Sequence, residues 1–292
     1  MLRYAIATCA LVLAAAPASA TSYCHGGSLR ILLTNDDGYQ APGIRALQTA
    51  LGDAGFAVTM VAPATNQSGS GAALSLSLID VSNPESGVYA VAGTPATTVL
   101  LGVSAIFPAN QKPNLIVSGI NTGANVGAAT PISGTVGVTI AAITQFAKPI
   151  PAIAVSTDLV EGTDPTTSAN LQHFADVAAF TSRLVDQLVS KSCASGAGLL
   201  PRHTAINVNY PPLAPTSTAG IKMAVQGRTP SFLIGYVNAG NGQYAPTYGA
   251  APASPDVPQS DTVAFSQGFV TIVPIDGDYT AGPRADSDQS GS

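Results

Sequence analysis

Ile31-Leu32-Leu33-Thr34-Asn35-Asp36-Asp37-Gly38 decides the reading of this chain. A short apolar run ends abruptly in two adjacent carboxylates and a glycine. A buried parallel strand looks like this when it delivers charge to the C-terminal edge of a sheet, where open α/β folds place their sites. Two neighbouring carboxylates repel each other, so the pair is costly unless a cation or a shared proton lies between them. Taken alone, Asp-Asp-Gly after a strand also fits a turn with solvated carboxylates.

Outward from this stretch, strand and helix patterns alternate. Residues 29–34 read as a strand, and 43–54 carry Ile44, Leu47 and Leu51 at helical spacing. Residues 57–62 are a second β-rich run stopped by Pro63. Residues 74–81 and 88–92 read as strands of a hairpin around 83–87. Thr94-Pro95 starts a helix to about 106, with Thr as N-cap and Pro in the first turn. Residues 114–118 and 152–156 read as strands, 135–146 and 168–190 as helices. The alternation predicts an α/β fold, a Rossmann-like, doubly wound, mostly parallel sheet over 24–210. Residues 211–283, rich in Pro, Gly, Ser and Ala, read as a β-rich C-terminal extension that serves as a hairpin and oligomerisation segment. Within it 211–262 carry only short β-like pieces, 269–275 are a last strand, and 284–292 are a polar, frayed tail.

Composition narrows the function. The 292 residues carry 11 Lys and Arg against 16 Asp and Glu, a net charge of −5, which argues against a polymeric nucleic acid as partner. A nucleotide as a small substrate stays compatible, since a bound cation can supply positive charge. Residues 1–20 read as a secretory signal peptide: Arg3, an apolar stretch over 5–16, and Ala18-Ser19-Ala20 before Thr21. The alternative, a membrane anchor, needs roughly 20 apolar residues, more than this stretch has. The expected mature protein is therefore exported, periplasmic or secreted, with no membrane association after cleavage. Cys9 falls in the leader; Cys24 and Cys193 suit one disulfide in an oxidising compartment, with two free thiols as the alternative.

Four polar clusters fall at the ends of expected strands or at a helix start. They are Asn35-Asp36-Asp37-Gly38, Asn66-Gln67-Ser68-Gly69, Ser118-Gly119-Ile120-Asn121-Thr122-Gly123 and Ser133-Gly134-Thr135. In a parallel sheet such ends converge on one rim. Their carboxylate, hydroxyl and amide oxygens suit a hard divalent cation, Mg²⁺ or Mn²⁺. Ser-Gly-Thr at a helix start suits a phosphate, although it also fits a plain N-cap. Cation beside phosphate implies phosphoryl hydrolysis, in which the cation polarises the phosphoryl oxygen and activates a water. A Gly-x-Ser-x-Gly elbow and a Walker A lysine are both absent from the sequence. Of the three histidines, His25, His173 and His203, His173 lies in a helical pattern and His203 near a strand start, and these two read as structural.

The clusters in this order resemble the SurE family, the stationary-phase survival proteins. Thr34-Asn35-Asp36-Asp37-Gly38-Tyr39-Gln40-Ala41-Pro42-Gly43-Ile44 is similar to its opening motif, and Val61-Ala62-Pro63 with Asn66-Gln67-Ser68-Gly69 to its second. Gly93-Thr94-Pro95 resembles the third; residues 117–127 with Ser133-Gly134-Thr135-Val136 resemble the fourth. Weaker echoes are Ile206-Asn207-Val208-Asn209, Gln226-Gly227-Arg228, and Ser260-Asp261-Thr262 through Gly268-Phe269-Val270. The resemblance spans about 29–283 and implies a metal-dependent 5′-nucleotidase acting on nucleoside monophosphates, 5′ and often 3′. It implies Asp36, Asp37, Ser68 and Asn121 as metal ligands, with Asp36 and Asp37 catalytic. Ser133, Gly134 and Thr135 would cradle phosphate, with Asn35 and Asn125 close by. It further implies a homodimer or homotetramer formed through an exchanged C-terminal segment.

Two departures stand out. Thr97 occupies a place where the family usually has Asp, and Ala128-Ala129-Thr130-Pro131-Ile132 lacks the acidic and aromatic residues often found there. They leave a broad-specificity acid phosphatase, or a non-catalytic nucleotide-binding module, as alternatives.

Overall fold

The strand expected at 29–34 forms as β1 (Arg30–Thr34), buried from Ile31 onward. The computed structural model describes residues 22–251 and 254–278; the leader expected over 1–20 and the tail expected over 284–292 lie outside them. Helix α1 (Pro42–Asp53) begins on a proline, whose fixed φ suits a first turn, and buries Ile44, Leu47 and Leu51. Gly43 leaves the helix room to approach the Ile120 carbonyl, which a Cβ would strike. Strand β2 (Ala57–Pro63) follows, parallel to β1 with Arg30 opposite Ala57.

The strand expected at 74–81 does not form. Leu74, Leu76 and Leu78 alternate with serine, but they are 43%, 89% and 103% exposed in an irregular segment. The edge they would occupy is taken by β3 (Val81–Glu85), which pairs antiparallel with β4 (Val88–Val91) across Ser86-Gly87. A two-residue connection closes more readily than a longer one, so the nearest segment takes the edge. Pro84 fits there because an edge strand need not donate on its outer side.

Helix α2 (Pro95–Leu101) continues as a wider turn to Ile106, and β5 (Leu115–Thr122) outruns its expected end at 118. Helix α3 (Gly134–Thr144), β6 (Ala152–Thr157), α4 (Ser168–Ser195) and β7 (Ala205–Tyr210) complete the alternation. Helix α4 runs past its expected end at 190, to a left-handed Gly196. Its last turn carries Cys193, disulfide-bonded to Cys24 with Cα atoms 5.4 Å apart.

After Tyr210 come a short β8 (Ile221–Met223) and a long hairpin, β9 (Phe232–Gly240) and β10 (Gln243–Ala250). The hairpin turns at Asn241-Gly242, both at positive φ, and forms a two-stranded sheet of its own. A short helix not anticipated from sequence, α5 (Asp261–Ser266), leads into β11 (Val270–Ile275). Strand β11 pairs antiparallel with β7, so the main sheet continues past residue 210.

Among the described residues nine strands form that sheet in the order β3-β4-β2-β1-β5-β6-β7-β11-β8. The six from β4 to β7 are parallel. The fold is thus the α/β, mostly parallel one expected. Leu33, Val117 and Val155 pack with α1 and α4 on one face; Leu32, Ile116 and Val61 pack with α2 and α3 on the other. Each fully buried aliphatic side chain of these layers contributes about 1.5–3 kcal/mol. From β1 the chain winds outward to β2 and β4, then crosses back to β5 and winds the other way. The order therefore reverses between β1 and β5, and the crevice beyond their C-terminal ends is where such sheets bind ligands.

Candidate functional site

The first and third polar clusters emerge at that reversal. Asn35 folds the end of β1 into a tight turn: its Nδ2 donates to Gly38 O at 2.9 Å and its Oδ1 accepts from Gly38 N at 3.2 Å. Gly38 holds φ +101, a conformation that L side chains resist. Gln67 N donates to Asp36 O at 2.7 Å, which draws the second cluster to the first.

A bulge in β5 sets the third. Ser118 stands opposite Ala154 and Asn121 opposite Ser156, so three steps on β5 match two on β6. The extra residue brings Asn121 to the face it shares with Ser118 and Ser156, the face α3 covers. Without it, strand alternation would put Asn121 on the α1 side. Gly119, at φ +138, takes the unusual conformation this needs.

Asp36 is 4% exposed. Its Oδ1 accepts from Thr135 Oγ1 at 2.5 Å. Gly134 approaches so closely that a Cβ there would lie 2.7 Å from Asp36 Oδ2 and 3.0 Å from Ser70 Oγ. Burial raises the Asp36 carboxyl above the usual carboxylate range, opposed by hydrogen bonds from the Thr135 hydroxyl and the Thr135 and Gly134 N–H groups. The start of α3 thus already holds an anion, the Asp36 side chain. Asp37 is half-buried, and Thr122 N donates to its Oδ2 at 3.1 Å. Burial, and then the charge of Asp36, push Asp37 up to about 7. The single ion pair among the described residues, Arg45 with Glu85, lies elsewhere, so no basic side chain neutralises the pair.

The other expected residues are distributed around this centre. Asn121 is 9% exposed and its Nδ2 donates to Gly123 O at 2.7 Å. Ser133 caps α3, its Oγ accepting from Val136 N at 3.2 Å. Ser68 is exposed, its N–H donating to Asn66 Oδ1, and its hydroxyl has no hydrogen bond to either carboxylate. Asn125 is buried and committed: Nδ2 donates to Ser156 Oγ at 2.9 Å, and its carbonyl accepts from Asn207 Nδ2 and Asn209 Nδ2. Thr97 accepts from Ser75 N at 2.8 Å, tying the 73–75 segment to α2. His173 pairs with Thr157 Oγ1 in the core and His203 with the Ile143 carbonyl, so both have structural partners.

Sequence reasoning missed Ser70, whose Oγ is buried without a hydrogen-bond partner beside Asp36 and Gly134. The repeat Ser68-Gly69-Ser70-Gly71 carried the signal, because it offers two hydroxyls to one loop. It also missed how Asn207 and Asn209 clamp the Asn125 backbone. Among the described residues no group of three or more His, Cys, Asp and Glu could hold a metal. A cation would instead need neutral oxygens beside the carboxylates. The orphaned Ser70 hydroxyl, the raised carboxyls and the all-oxygen donor set fit a hard divalent ion.

A buried and a half-buried carboxylate at the reversal point of a parallel sheet, set against a helix start, define a class: α/β proteins with an oxygen-lined centre suited to a cation. Residues 31–231 match the family model Survival protein SurE, and the chain belongs to the SurE family. It is 34% identical over 259 residues to 5′-nucleotidase SurE of Nitratidesulfovibrio vulgaris (strain DP4), covering 86% of this chain and 95% of that protein. It is 37% identical over 258 residues to 5′/3′-nucleotidase SurE of Yersinia enterocolitica, covering 87% and 93%. The crystal structure of SurE protein from Aquifex aeolicus superposes with a TM-score of 0.68 at 30% identity, covering 86% of this chain and 94% of that one.

Proposed function

We propose that this protein is an exported, divalent-cation-dependent phosphomonoesterase that hydrolyses nucleoside 5′- and 3′-monophosphates to nucleoside and phosphate. The observation that carries the reading is the pair at the sheet's reversal point, Asp36 buried against the start of α3 and Asp37 half-buried beside it, with no basic partner among the described residues. Two carboxylates so placed favour a bound proton, and a cation that displaces it lets both ionise. The names of the relatives support the substrate class.

In this reading Asp36, Asp37, Ser68 and Asn121 hold Mg²⁺ or Mn²⁺, and Ser70 adds a hydroxyl beside them. When bound, the cation supplies charge neutralisation at the phosphoryl oxygens and lowers the pKa of a coordinated water. The chain's residues do the positioning. The Thr135 hydroxyl and the Gly134 and Thr135 N–H groups fix Asp36, and Thr122 N fixes Asp37. The expected phosphate cradle of Ser133, Gly134 and Thr135 is turned toward Asp36 through its Gly134 and Thr135 N–H groups. That leaves the Ser133 hydroxyl proton as the donor it offers a phosphoryl oxygen; Asn35 is spent on Gly38 and Asn125 on Ser156. The leader-like residues 1–20 and the bridge from Cys24 to Cys193 support export. The exposed Ile234, Tyr236, Val237, Tyr244 and Tyr248 of the hairpin support assembly into a dimer or tetramer.

Phosphate release from 5′-AMP and 3′-AMP, with EDTA and then with added Mg²⁺ or Mn²⁺, tests the reading. Turnover is expected only with the cation. Asp36→Asn is expected to lower kcat more than about 100-fold, by the scale of losing a charge-stabilising group in a dry site. The same variant loses the cation-dependent rise in Tm. Full turnover in EDTA, or a variant with wild-type kcat and Tm shift, defeats it.

A further inference from the structure

Residues 67–75 form a strap across the start of α3. Gln67 N donates to Asp36 O at 2.7 Å, Ser70 N to Gln67 O at 3.1 Å and Ala73 N to Ser70 O at 3.1 Å. The strap lies on two glycines of α3. A Cβ on Gly134 would fall 3.0 Å from Ser70 Oγ, and one on Gly137 would fall 2.5 Å from Gly71 O. Ser68 and Ser70 ride on this strap. The Ser68 hydroxyl has no hydrogen bond to either carboxylate, so the backbone of the strap decides where it stands. Apolar packing does not hold the far end, since Leu74, Leu76 and Leu78 are exposed.

Hydrogen bonds to the first turn of α2 hold it instead. The Thr94 hydroxyl donates to Ala73 O at 2.6 Å. A hydroxyl has one proton, so in the 2.8 Å contact between Thr94 Oγ1 and Thr97 Oγ1 it is Thr97 that donates. Thr97 Oγ1 accepts in turn from Ser75 N at 2.8 Å. The relay runs one way, from Ser75 N through Thr97 and Thr94 to Ala73 O, and both its ends lie on the strap. Thr94 N adds a bond to Ser75 Oγ at 3.1 Å. Thr97 is 5% exposed, so water does not stand in for its hydroxyl. A carboxylate at 97 would accept from Ser75 N but would have no proton for Thr94. Thr94 would then turn its own proton to that carboxylate and release Ala73 O.

We infer that Thr97 is a positioning residue for the cation: its hydroxyl closes the relay that holds Ser68 and Ser70 beside Asp36, and so sets the affinity for Mg²⁺ or Mn²⁺. The inference rests on the divalent-cation reading above and assigns a side chain that acts on the site through the strap.

The test uses the full chain. Thr97→Val keeps the branched shape and removes the hydroxyl; Thr97→Ser keeps the hydroxyl. Thr94→Val cuts the same relay at its other member, and the Thr94 hydroxyl makes no capping bond to α2 that would be lost with it. The first readout is calorimetric titration of the EDTA-treated protein with Mn²⁺. Each valine variant is expected to bind Mn²⁺ about tenfold more weakly, the scale of one or two hydrogen bonds. Thr97→Ser is expected to stay within about twofold of wild type, and the double valine variant to be no weaker than the poorer single one, because the relay is already cut. Turnover of AMP by Thr97→Val is expected to fall at limiting Mn²⁺ and to recover at saturating Mn²⁺, as a pure loss of affinity does. The second readout is amide hydrogen exchange without cation. Peptides over 67–75 are expected to exchange about tenfold faster in the valine variants, with β1 and β5 unchanged. Wild-type Mn²⁺ affinity in Thr97→Val, or unchanged exchange over 67–75, overturns the assignment. Exchange that rises across the whole core overturns it too, since Thr97 would then be a general packing residue. If the wild type binds neither Mn²⁺ nor Mg²⁺, the cation reading fails instead, and exchange over 67–75 still decides whether the relay holds the strap.

Discussion

Gly134 carries the tightest constraint at the site. A methyl group there would fall 2.7 Å from Asp36 Oδ2 and 2.8 Å from Asp36 Cβ, closer than carbon and oxygen tolerate. Alanine improves helix propensity by about 1 kcal/mol, but overpacking a closed site costs about 1–3 kcal/mol. Overpacking wins, and it pushes the carboxylate away from Thr135. Gly134→Ala is expected to lower Tm by a few degrees and kcat on AMP at least tenfold. Gly52 in α1 provides the contrast, since nothing lies within 4 Å of its Cβ position. Gly52→Ala is expected to raise stability by about 0.5–1 kcal/mol with kcat intact. Thermal melts and phosphate-release assays on the two variants check both halves. Similar effects from the two would mean that the close approach at Gly134 has no consequence. The carboxylate pair and Ser133-Gly134-Thr135 were legible in sequence because each combines a strand end or a helix start with chemistry. Ser70 was not, because its meaning comes from a neighbour distant in the chain, Gly134, which only the fold supplies.

At the scale of elements, α5 and the 256–262 segment lock the hairpin root to the loop after β5. Asp261, fully buried, accepts through Oδ1 from Gly127 N at 3.1 Å, Gly227 N at 2.7 Å and Thr262 N at 2.8 Å. Asp256 accepts from the Thr262 and Thr229 hydroxyls and from Arg228 N and Val257 N. The two respond to pH with opposite signs. Burial pushes Asp256 up, but its hydrogen bonds, the Thr262 hydroxyl foremost, outweigh that and hold it well below 3.8. Its contribution is present above pH 3.8 and is lost as pH falls through the folded value. Burial raises Asp261 above 3.8 against its three N–H donors, so its contribution is present below pH 3.8 and is lost as pH rises through the folded value. Asp256→Ala is expected to cost about 1–3 kcal/mol at about pH 7, the scale of charge-assisted hydrogen bonds, and to flatten the loss of stability below pH 3.8. Urea melts from about pH 2 to 7 check the sign; an unchanged acid limb refutes it. Residues 226–228 and 260–262 were legible only as weak family echoes, and the bonds that join them were not legible at all. The 211–262 segment is rich in Pro and Gly and gave no period, although Asn241-Gly242 signals a hairpin turn. The 74–81 error has the opposite cause: the alternation was real, but a strand needs a partner edge, and β3 had taken it.

At the scale of the molecule, one covalent tie spans most of the core. Cys24 precedes β1 and Cys193 lies in the last turn of α4, at a sequence separation of 169. Tyr23 reinforces the tie, its hydroxyl 3.0 Å from Ser192 Oγ. Closing so long a loop removes freedom mainly from the unfolded chain, worth about 2–5 kcal/mol. For a chain of this size that is a fall in Tm on the order of 5–15 °C when the bridge is lost. The bridge joins the ends of elements on the α1–α4 face, whereas Asp36 meets Thr135 on the α3 face. Stability and chemistry are therefore separable across the sheet. Cys24→Ser, or reduction of the wild type with dithiothreitol, is expected to lower Tm by that amount while kcat on AMP at about 25 °C stays within about twofold. Restoring the oxidised bridge in the wild type restores Tm. An unchanged Tm would mean that α4 and β1 need no tie. A fall in kcat at a temperature where the variant is fully folded would mean that the strain of its loss crosses the sheet to Asp36.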